Sequence, residues 1–369
     1  MGAFLLHLAE ALAEHGVQIE VIAPHAPNLA DEETLGAARV HRFHYAPAQW
    51  ERLAYRGTMH ELVAGGIVNK ILFALFNLAF WLKTLSVAQA TRPILLHAHW
   101  WLPGGLVGAL VSLILRAPLI VTTHGTDVEM LRQNRWAMPL ARFVFARARA
   151  ITCGSNYLRD QLLSLGVVDA SRVHVVPMPV SPVFSSQYSV ASSQYSVLTV
   201  ARLTQQKSID TLIEAIALVP TARLKIIGEG PARASLEQQT RALNLQDRVE
   251  FLGALPQTEL PQHYAACAAF VLPSIREGMG LVLAEALLCG APVIATNSGG
   301  VTDIVRDGET GLLVPERDAR ALANAIEKIL NDRALAQRLA QAGAKFVRAH
   351  YTAERVAAQF AEIYWTLAR

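Results

Sequence analysis

Apolar positions along this 369-residue chain alternate between short unbroken runs and stretches of helical spacing. Short apolar runs closed by Pro, Gly or polar turns read as buried parallel strands, and the i, i+3, i+4 stretches between them as covering helices. In the first half this predicts a helix over 4–14 and a strand over 18–23 closed by Pro24. A short strand over 40–44 and a long helical region over 61–90 follow. A strand over 94–99, a loop over 100–105 and a helix over 106–115 lead to a buried strand over 119–123. That strand delivers His124-Gly125-Thr126-Asp127 to a turn. Basic residues at helical spacing over 142–149, strands over 150–153 and 173–176, and a helix opened by Gly154-Ser155-Asn156 complete this half.

Residues 185–197 read SSQYSV-A-SSQYSV, a polar tandem hexamer without an apolar face, which predicts an inter-domain linker over 183–197. The pattern then restarts. Strands are expected over 197–200, 223–227, 249–252, 270–272, 292–296 and 312–314. Helices are expected over 208–218, 231–243, 261–266, 281–288, 319–330, 332–346 and 352–367. Alternation of this kind gives two doubly wound α/β domains, over 1–182 and 198–350, with 351–369 as a separate C-terminal helix. Ligands of such sheets bind at the carboxyl ends of the strands, and the cleft between the domains is the default site.

The stretch 271–301, VLPSIREGMGLVLAEALLCGAPVIATNSGGV, carries the most chemistry. Glu277 stands in a glycine loop and Glu285, eight positions on, stands on an otherwise apolar helix capped by Cys289-Gly290. An unpaired buried carboxylate is costly, so Glu285 needs a partner. It reads either as a rim residue capping neighbouring backbone or as a ligand-binding group. Gly278 and Gly280 permit close backbone approach, and the helix that follows points its amides at an anion. Arg202 and Lys207, just past the first strand of the second half, read either as surface bases or as a pair converging on phosphate. His124, at the cleft edge, reads as a structural hydrogen-bonder or as a catalytic residue.

Composition narrows the classes. Apolar content of 52% against 17% charged residues favours buried sheets, and a net charge of +3 argues against nucleic acid as a partner. Three cysteines, Cys153, Cys267 and Cys289, stand far apart and read as core residues of a reducing compartment. His97 and His99 invite a metal reading, but no acidic or cysteine partner has ligand spacing, so no metal is expected. No GxGxxG, GxxxxGK[ST] or GxSxG motif is present. No secretory signal is evident at the amino end. The apolar run over 71–82, flanked by Lys70 and Lys83, is too short to span a bilayer. It reads as a core or domain-surface helix, with peripheral membrane contact left open.

The second half resembles the retaining GT-B glycosyltransferases of family 4 (group 1). The resemblance rests on VARLTQQKSIDTLIEA (200–215), IIGEGP (226–231), FLGALP (251–256), EGMGLVLAEALLCGAPVIAT (277–296), GG (299–300) and DGETGLLVPERD (307–318). HAHWWLPGG (97–105), THGTD (123–127) and GSN (154–156) match more loosely.

The resemblance implies a GT-B fold, two Rossmann-like domains facing across a cleft, and transfer of a hexose from a nucleotide sugar with retained anomeric configuration. It implies that Arg202 and Lys207 bind the donor diphosphate, that Glu285 accepts from ribose hydroxyls, and that Glu277 holds the sugar. The backbone of Gly278, Met279, Gly280 and Leu281 would assist Glu277, Gly228 would line the donor site, and His124 would touch the sugar. It implies no cofactor and no metal, a cytoplasmic enzyme at most peripheral to the inner membrane face, and a glycan, lipid-linked or small-molecule acceptor. The last helix would cross back onto the first domain. A sugar phosphorylase, a nucleotide-sugar epimerase and a non-catalytic nucleotide-sugar binder are the other readings.

The chain departs from the family pattern at Met279, where Phe is common, at Met178-Pro179-Val180-Ser181 and at Asp303. It also opens at Met1-Gly2 almost directly into the first helix, without the strand and glycine loop expected there. The expectation is a gap beside the 18–23 strand, with Gly2 a remnant of that loop and an upstream-extended chain more stable and more active.

Overall fold

A computed structural model describes residues 3–55, 59–185 and 195–369; the Gly2 reading falls outside them. The chain divides into two compact units. One comprises Met1–Gly154, Leu158–Val176 and Val356–Arg369, the other Ser155–Tyr157 and Pro177–Arg355.

The first unit runs α1 (Ala3–Glu14), β1 (Ile19–Pro24), β2 (Glu32–Leu35), β3 (Ala38–Phe43), α2 (Met59–Ala64), α3 (Ile67–Thr91) and β4 (Leu96–His99). It continues through α4 (Leu106–Leu115), β5 (Leu119–Thr123), α5 (Thr126–Gln133), α6 (Met138–Arg147), β6 (Ala150–Cys153), α7 (Asn156–Ser164) and β7 (Val173–Val175). Its strands form two sheets, β1-β3-β2 and β4-β5-β6-β7. The second is parallel throughout, with Ala98 paired to Val121 and Val121 to Ile151. Among the described residues β1 and β4 each end their sheet, and no ladder joins the two sheets. One helix covers both sheets. The first half of α3 packs Leu72 and Phe76 with Phe43, Tyr45 and Ile22, and its second half packs Ala88 with Val107, Val111 and Leu96.

Three features differ from the sequence reading. The helical region over 61–90 is two helices broken at Gly65-Gly66, where two residues without Cβ make helix continuation unfavourable. The loop over 100–105 contains a wide helical turn at Trp101–Gly105. The strand β2, EETL, is too polar to announce itself, and is held by an antiparallel hairpin to β3 through Gly36 at φ +56°.

The second unit runs β8 (Ser196–Val200), α8 (Ile209–Leu218), β9 (Arg223–Ile227), α9 (Arg233–Ala242), β10 (Val249–Gly253), α10 (Leu260–Ala266) and β11 (Ala269–Leu272). Then come α11 (Leu281–Leu288), β12 (Val293–Thr296), β13 (Leu312–Val314), α12 (Ala319–Asn331) and α13 (Arg333–His350). The six strands form one parallel sheet in the order β10-β9-β8-β11-β12-β13. The chain winds outward from β8 in one direction and restarts at β11 in the other, so the order reverses between them. In open α/β sheets that switch point is where ligands bind. Leu212, Ile216, Leu224, Ile226, Val271, Ile294 and Ile326 fill the core around it.

The final helix α14 (Ala353–Ala368) begins in the second unit, and its residues from Val356 belong to the first. Of the linker predicted over 183–197, residues 186–194 lie outside the described residues. The rest is structured: Phe184 is fully buried against Tyr264, ring centroids 5.8 Å apart, and Ser196 and Val197 open β8. The linker is therefore narrower than the polar repeat suggests, because the flanking apolar residues are claimed by the core.

Candidate active site

Two loops meet at the switch point of the second unit. The loop after β8 carries Arg202, exposed, and a short helical turn at Gln205–Lys207. The loop after β11 carries Arg276 and Glu277. They are stitched together by backbone and side chain: Ile275 N–H donates to the Gln206 carbonyl at 2.8 Å, and Gln206 Nε2 donates to the Arg276 carbonyl at 3.1 Å. Across this seam Lys207 Nζ forms an ion pair with Glu277 Oε2. Both side chains are largely covered, so the pair is screened less than a surface bridge.

Gly228, at the end of β9, sits against the same seam. Its φ is +137°, and a Cβ there would lie 1.9 Å from the Ala201 carbonyl oxygen. The sequence reading placed Gly228 beside the ligand; its first requirement is this backbone-to-backbone approach, which leaves no room for any side chain.

Gly278, Met279 and Gly280 lead from Glu277 into α11. The Ser155 hydroxyl donates to the Gly278 carbonyl at 2.6 Å, and Gly300 N–H donates to the Glu277 carbonyl at 2.7 Å. Gly280, at φ +81°, takes the cap position of α11, whose first turn holds no acidic side chain. Leu281 opens the helix, so its backbone N–H is one of the free donors that make a helix start receptive to an anion. The Met279 side chain turns inward: it is buried, and its Sδ accepts from Met178 N–H at 3.5 Å. The contribution of Met279 to a ligand is thus confined to its backbone, and Met178-Met279 is the contact that the unusual residues at both positions build.

Glu285 lies one turn and a half from Gly280 on the buried face of α11. Its protein partner, not visible in the sequence, is Tyr264 on α10: the phenol donates to Glu285 Oε2 at 3.0 Å. Tyr264 is fully buried among Phe184 and Phe270. Burial pushes the Glu285 carboxyl up to about 7, against hydrogen bonds from Tyr264 and Gln257 that pull it down. Cys267 and Cys289 nearby are held as thiols, each pushed up to about 12 chiefly by burial.

His124 belongs to the first unit, on the turn between β5 and α5. Asp127 builds that turn: its Oδ1 accepts from His124, Gly125 and Val128 N–H at 2.9, 3.1 and 3.1 Å, and its Oδ2 from Trp101 N–H at 3.2 Å. Burial pushes Asp127 up to about 6, opposed by those amides. His124 Nε2 shares a hydrogen bond of 2.9 Å with His99 Nδ1, and its ring packs against Trp100 with centroids 4.8 Å apart. His97 lies 2.6 Å from Tyr364 Oη through Nδ1 and 2.6 Å from Thr122 Oγ1 through Nε2. With both nitrogens occupied by protein partners, His97 is a hydrogen-bonding group of the β4 end. Burial holds His97 at about 3 and His124 at about 4, so both imidazoles are neutral at neutral pH. A neutral His124 can exchange a hydrogen bond with a hydroxyl and cannot supply positive charge.

Among the described residues, the His, Cys, Asp and Glu side chains whose ligand atoms converge are a different set, His25, His44 and Glu51, within 4.8 Å of one another. There His25 Nδ1 lies 2.6 Å from Glu51 Oε2 and the two imidazoles stack at 3.9 Å.

Comparison with known proteins gives the family and the fold. The model for glycosyl transferases group 1 matches residues 183–346, and that for the glycosyl transferase 4-like domain matches residues 1–179. The chain is 30% identical over 289 residues to the GDP-mannose-dependent alpha-(1-6)-phosphatidylinositol monomannoside mannosyltransferase of Mycobacterium tuberculosis, covering 69% of this chain and 74% of that one. It is 26% identical over 307 residues to the N-acetyl-alpha-D-glucosaminyl L-malate synthase of Bacillus anthracis, covering 80% of each. The solved structure of sucrose-phosphate synthase from Thermosynechococcus elongatus superposes with a TM-score of 0.80 at 27% identity, covering 99% of this chain and 92% of that one. A fold of two Rossmann-like units with parallel sheets defines the GT-B class of sugar-transferring enzymes. Within that class, this chain belongs to the group 1 glycosyl transferases and uses a nucleotide sugar as donor.

Proposed function

We propose that this protein transfers a hexose from a nucleotide sugar to an acceptor hydroxyl with retention of anomeric configuration, without a metal or other cofactor. The observation that carries this reading is the Lys207–Glu277 pair, set at the β8–β11 switch point beside the uncapped start of α11. A diphosphate seated there would draw Lys207 toward it and be met by Arg202, neutralising the charge that develops on the leaving group. Glu277, with the backbone of Gly278 to Leu281, would hold sugar hydroxyls, and Glu285 would accept from the ribose. The sugar-contacting role of His124 rests on its motif alone. Retention is assigned to a front-face course, in which the leaving phosphate oxygen takes the acceptor's proton.

The acceptor class we favour is lipid-linked, since a relative acts on phosphatidylinositol monomannoside. Such an enzyme would work in the cytoplasm at the inner membrane face. The test is incubation of purified protein with UDP-, GDP- and ADP-hexoses, with and without glycan, lipid-linked and small-molecule acceptors. Nucleotide release that depends on acceptor, with product of the donor's anomeric configuration and rates unchanged by chelator, is expected. Donor binding without turnover on any acceptor would instead favour a nucleotide-sugar binder, and phosphate-dependent turnover a phosphorylase.

A further inference from the structure

Among the described residues, one side of α3 has no protein against it. Ile67, Ile71, Leu75, Leu78 and Leu82 recur at i, i+4, i+8, i+11 and i+15, which places them on a single stripe. Ile67 is 70% exposed, Ile71 55%, and Leu78 and Leu82 51% each. Leu72, Phe76 and Ala88 on the opposite face are buried, so the helix already has its core contact and the stripe is surplus to folding. The neighbouring α4 extends the apolar surface. It packs Val107 and Val111 against Ala88 of α3, yet exposes Leu110, Leu113 and Ile114. An exposed apolar surface of this extent marks an interaction site.

The charge around it selects the partner. From Leu62 to Thr126 the chain contains no Asp or Glu, and its charged residues are Lys70, Lys83, Arg92 and Arg116. Lys70, Arg92 and Arg116 are exposed, while Lys83 pairs with Glu32 of β2 at 3.5 Å. Every charge that the 62–126 stretch itself carries is basic, and of these Lys83 is balanced by Glu32, so Lys70, Arg92 and Arg116 give the apolar surface the character that an anionic headgroup layer attracts. A second copy of the same face would bring its own cations against these, which disfavours self-pairing.

Length and composition alone would let α3 cross a bilayer, but its buried face and its lysines decide otherwise. Residues 71–82 between Lys70 and Lys83 reach about 18 Å at about 1.5 Å per residue, short of the ~30 Å hydrocarbon core. We propose that the α3–α4 face of the first unit lies flat on an anionic membrane surface. Ile71, Leu75, Leu78 and Leu82 enter the acyl boundary, and Lys70, Arg92 and Arg116 sit at the level of the lipid phosphates.

The experiment is co-sedimentation of the full chain with vesicles of phosphatidylcholine alone or with about 30% phosphatidylglycerol, at about 0.1 M and about 0.5 M salt. Binding to the anionic vesicles that weakens at high salt is expected, with affinity about tenfold or more lower for Lys70→Glu/Arg116→Glu. Ile71→Gln/Leu78→Gln should keep the wild-type melting temperature and lose binding. Equal binding by that variant, equal binding to neutral vesicles, or no binding at all overturns the proposal. So does a concentration-dependent dimer by sedimentation that the same variant abolishes, since a second copy would then be the occupant. None of these readouts requires transferase activity, so the proposal stands or falls apart from the functional reading.

Discussion

The phenol of Tyr264 donates a hydrogen bond to Glu285 Oε2 at 3.0 Å, joining two helices that flank β11 and giving the carboxyl a partner within the protein. That bond and the one from Gln257 do not offset the burial, which leaves the carboxyl at about 7 against an ordinary 4.5. A raised folded-state pKa contributes stability that is fully present below 4.5 and lost as pH rises through about 7. The loss is on the order of 3 kcal/mol at most. Wild-type protein should therefore melt lower at about pH 8 than Glu285→Gln relative to the same pair at about pH 5, measured by calorimetry.

Ribose hydroxyls donating to Glu285 would favour the carboxylate, so binding of UDP or GDP near pH 7 should release a proton. Calorimetric titration in buffers of different ionisation enthalpy reads this directly. Glu285→Ala should weaken nucleotide binding about tenfold or more, the usual cost of losing hydrogen bonds to a charged group. Buffer-independent heats together with unchanged affinity would remove Glu285 from the nucleotide site.

Lys207 and Glu277 form an ion pair across the seam between the two loops. Lys207→Met should lower turnover by about a hundredfold or more while changing nucleotide affinity much less, because its charge matters most as the leaving group forms. Steady-state kinetics with whichever of the UDP-, GDP- and ADP-hexoses supports turnover checks the split. Equal loss in KM and none in kcat would make Lys207 a simple binding residue.

Gly228→Ala tests the backbone approach at the seam. The new Cβ would sit 1.9 Å from the Ala201 oxygen on a residue at φ +137°. Destabilisation of about 3 kcal/mol or more is expected, a fall of roughly 10 °C in melting temperature. An unchanged melting curve would show that the two loops move apart freely.

The histidines of the first unit act in the opposite pH direction from Glu285. His97 at about 3 and His124 at about 4 lie below the ordinary 6.5. Their contribution to stability is present above pH 6.5 and is lost as pH falls through 4 and then 3. The first unit should lose stability on acidification over that range, and His124→Asn should lose less of it, followed by near-ultraviolet dichroism. A parallel fall in both proteins would assign the acid sensitivity elsewhere.

Periodicity made most of the second unit legible, because its central strands β8, β11 and β12 are buried on both faces and read as unbroken apolar runs. The strand Ala269–Leu272 and the helix Leu281–Leu288 fall where their apolar stretches predict them. What local pattern could not show is pairing across the fold. Tyr264 lies 21 residues before Glu285, and nothing in LPQHYAA marks its tyrosine as a carboxylate partner. The same holds for Asp303, whose Oδ2 accepts from Asn156 N–H at 2.6 Å across 147 residues. Polar strands such as β2 escaped because their stability comes from the hairpin partner rather than from their own side chains. The inward turn of Met279 escaped because a glycine loop carries no periodicity.

The interrupted sheet of the first unit has a consequence for how that unit comes apart. Among the described residues no ladder hydrogen bonds join β1 to β4, so β1-β3-β2 and β4-β5-β6-β7 are tied through side chains, α3 packing on both and Phe4 of α1 meeting His124 beyond β5. Backbone ladders propagate cooperativity, whereas a shared helix couples two sheets only as firmly as its packing. The amino-terminal sheet is thus a subglobal opening unit in its own right. Its amides should exchange with solvent well ahead of those of β5 and β6, and α3 sets the difference between one transition and two.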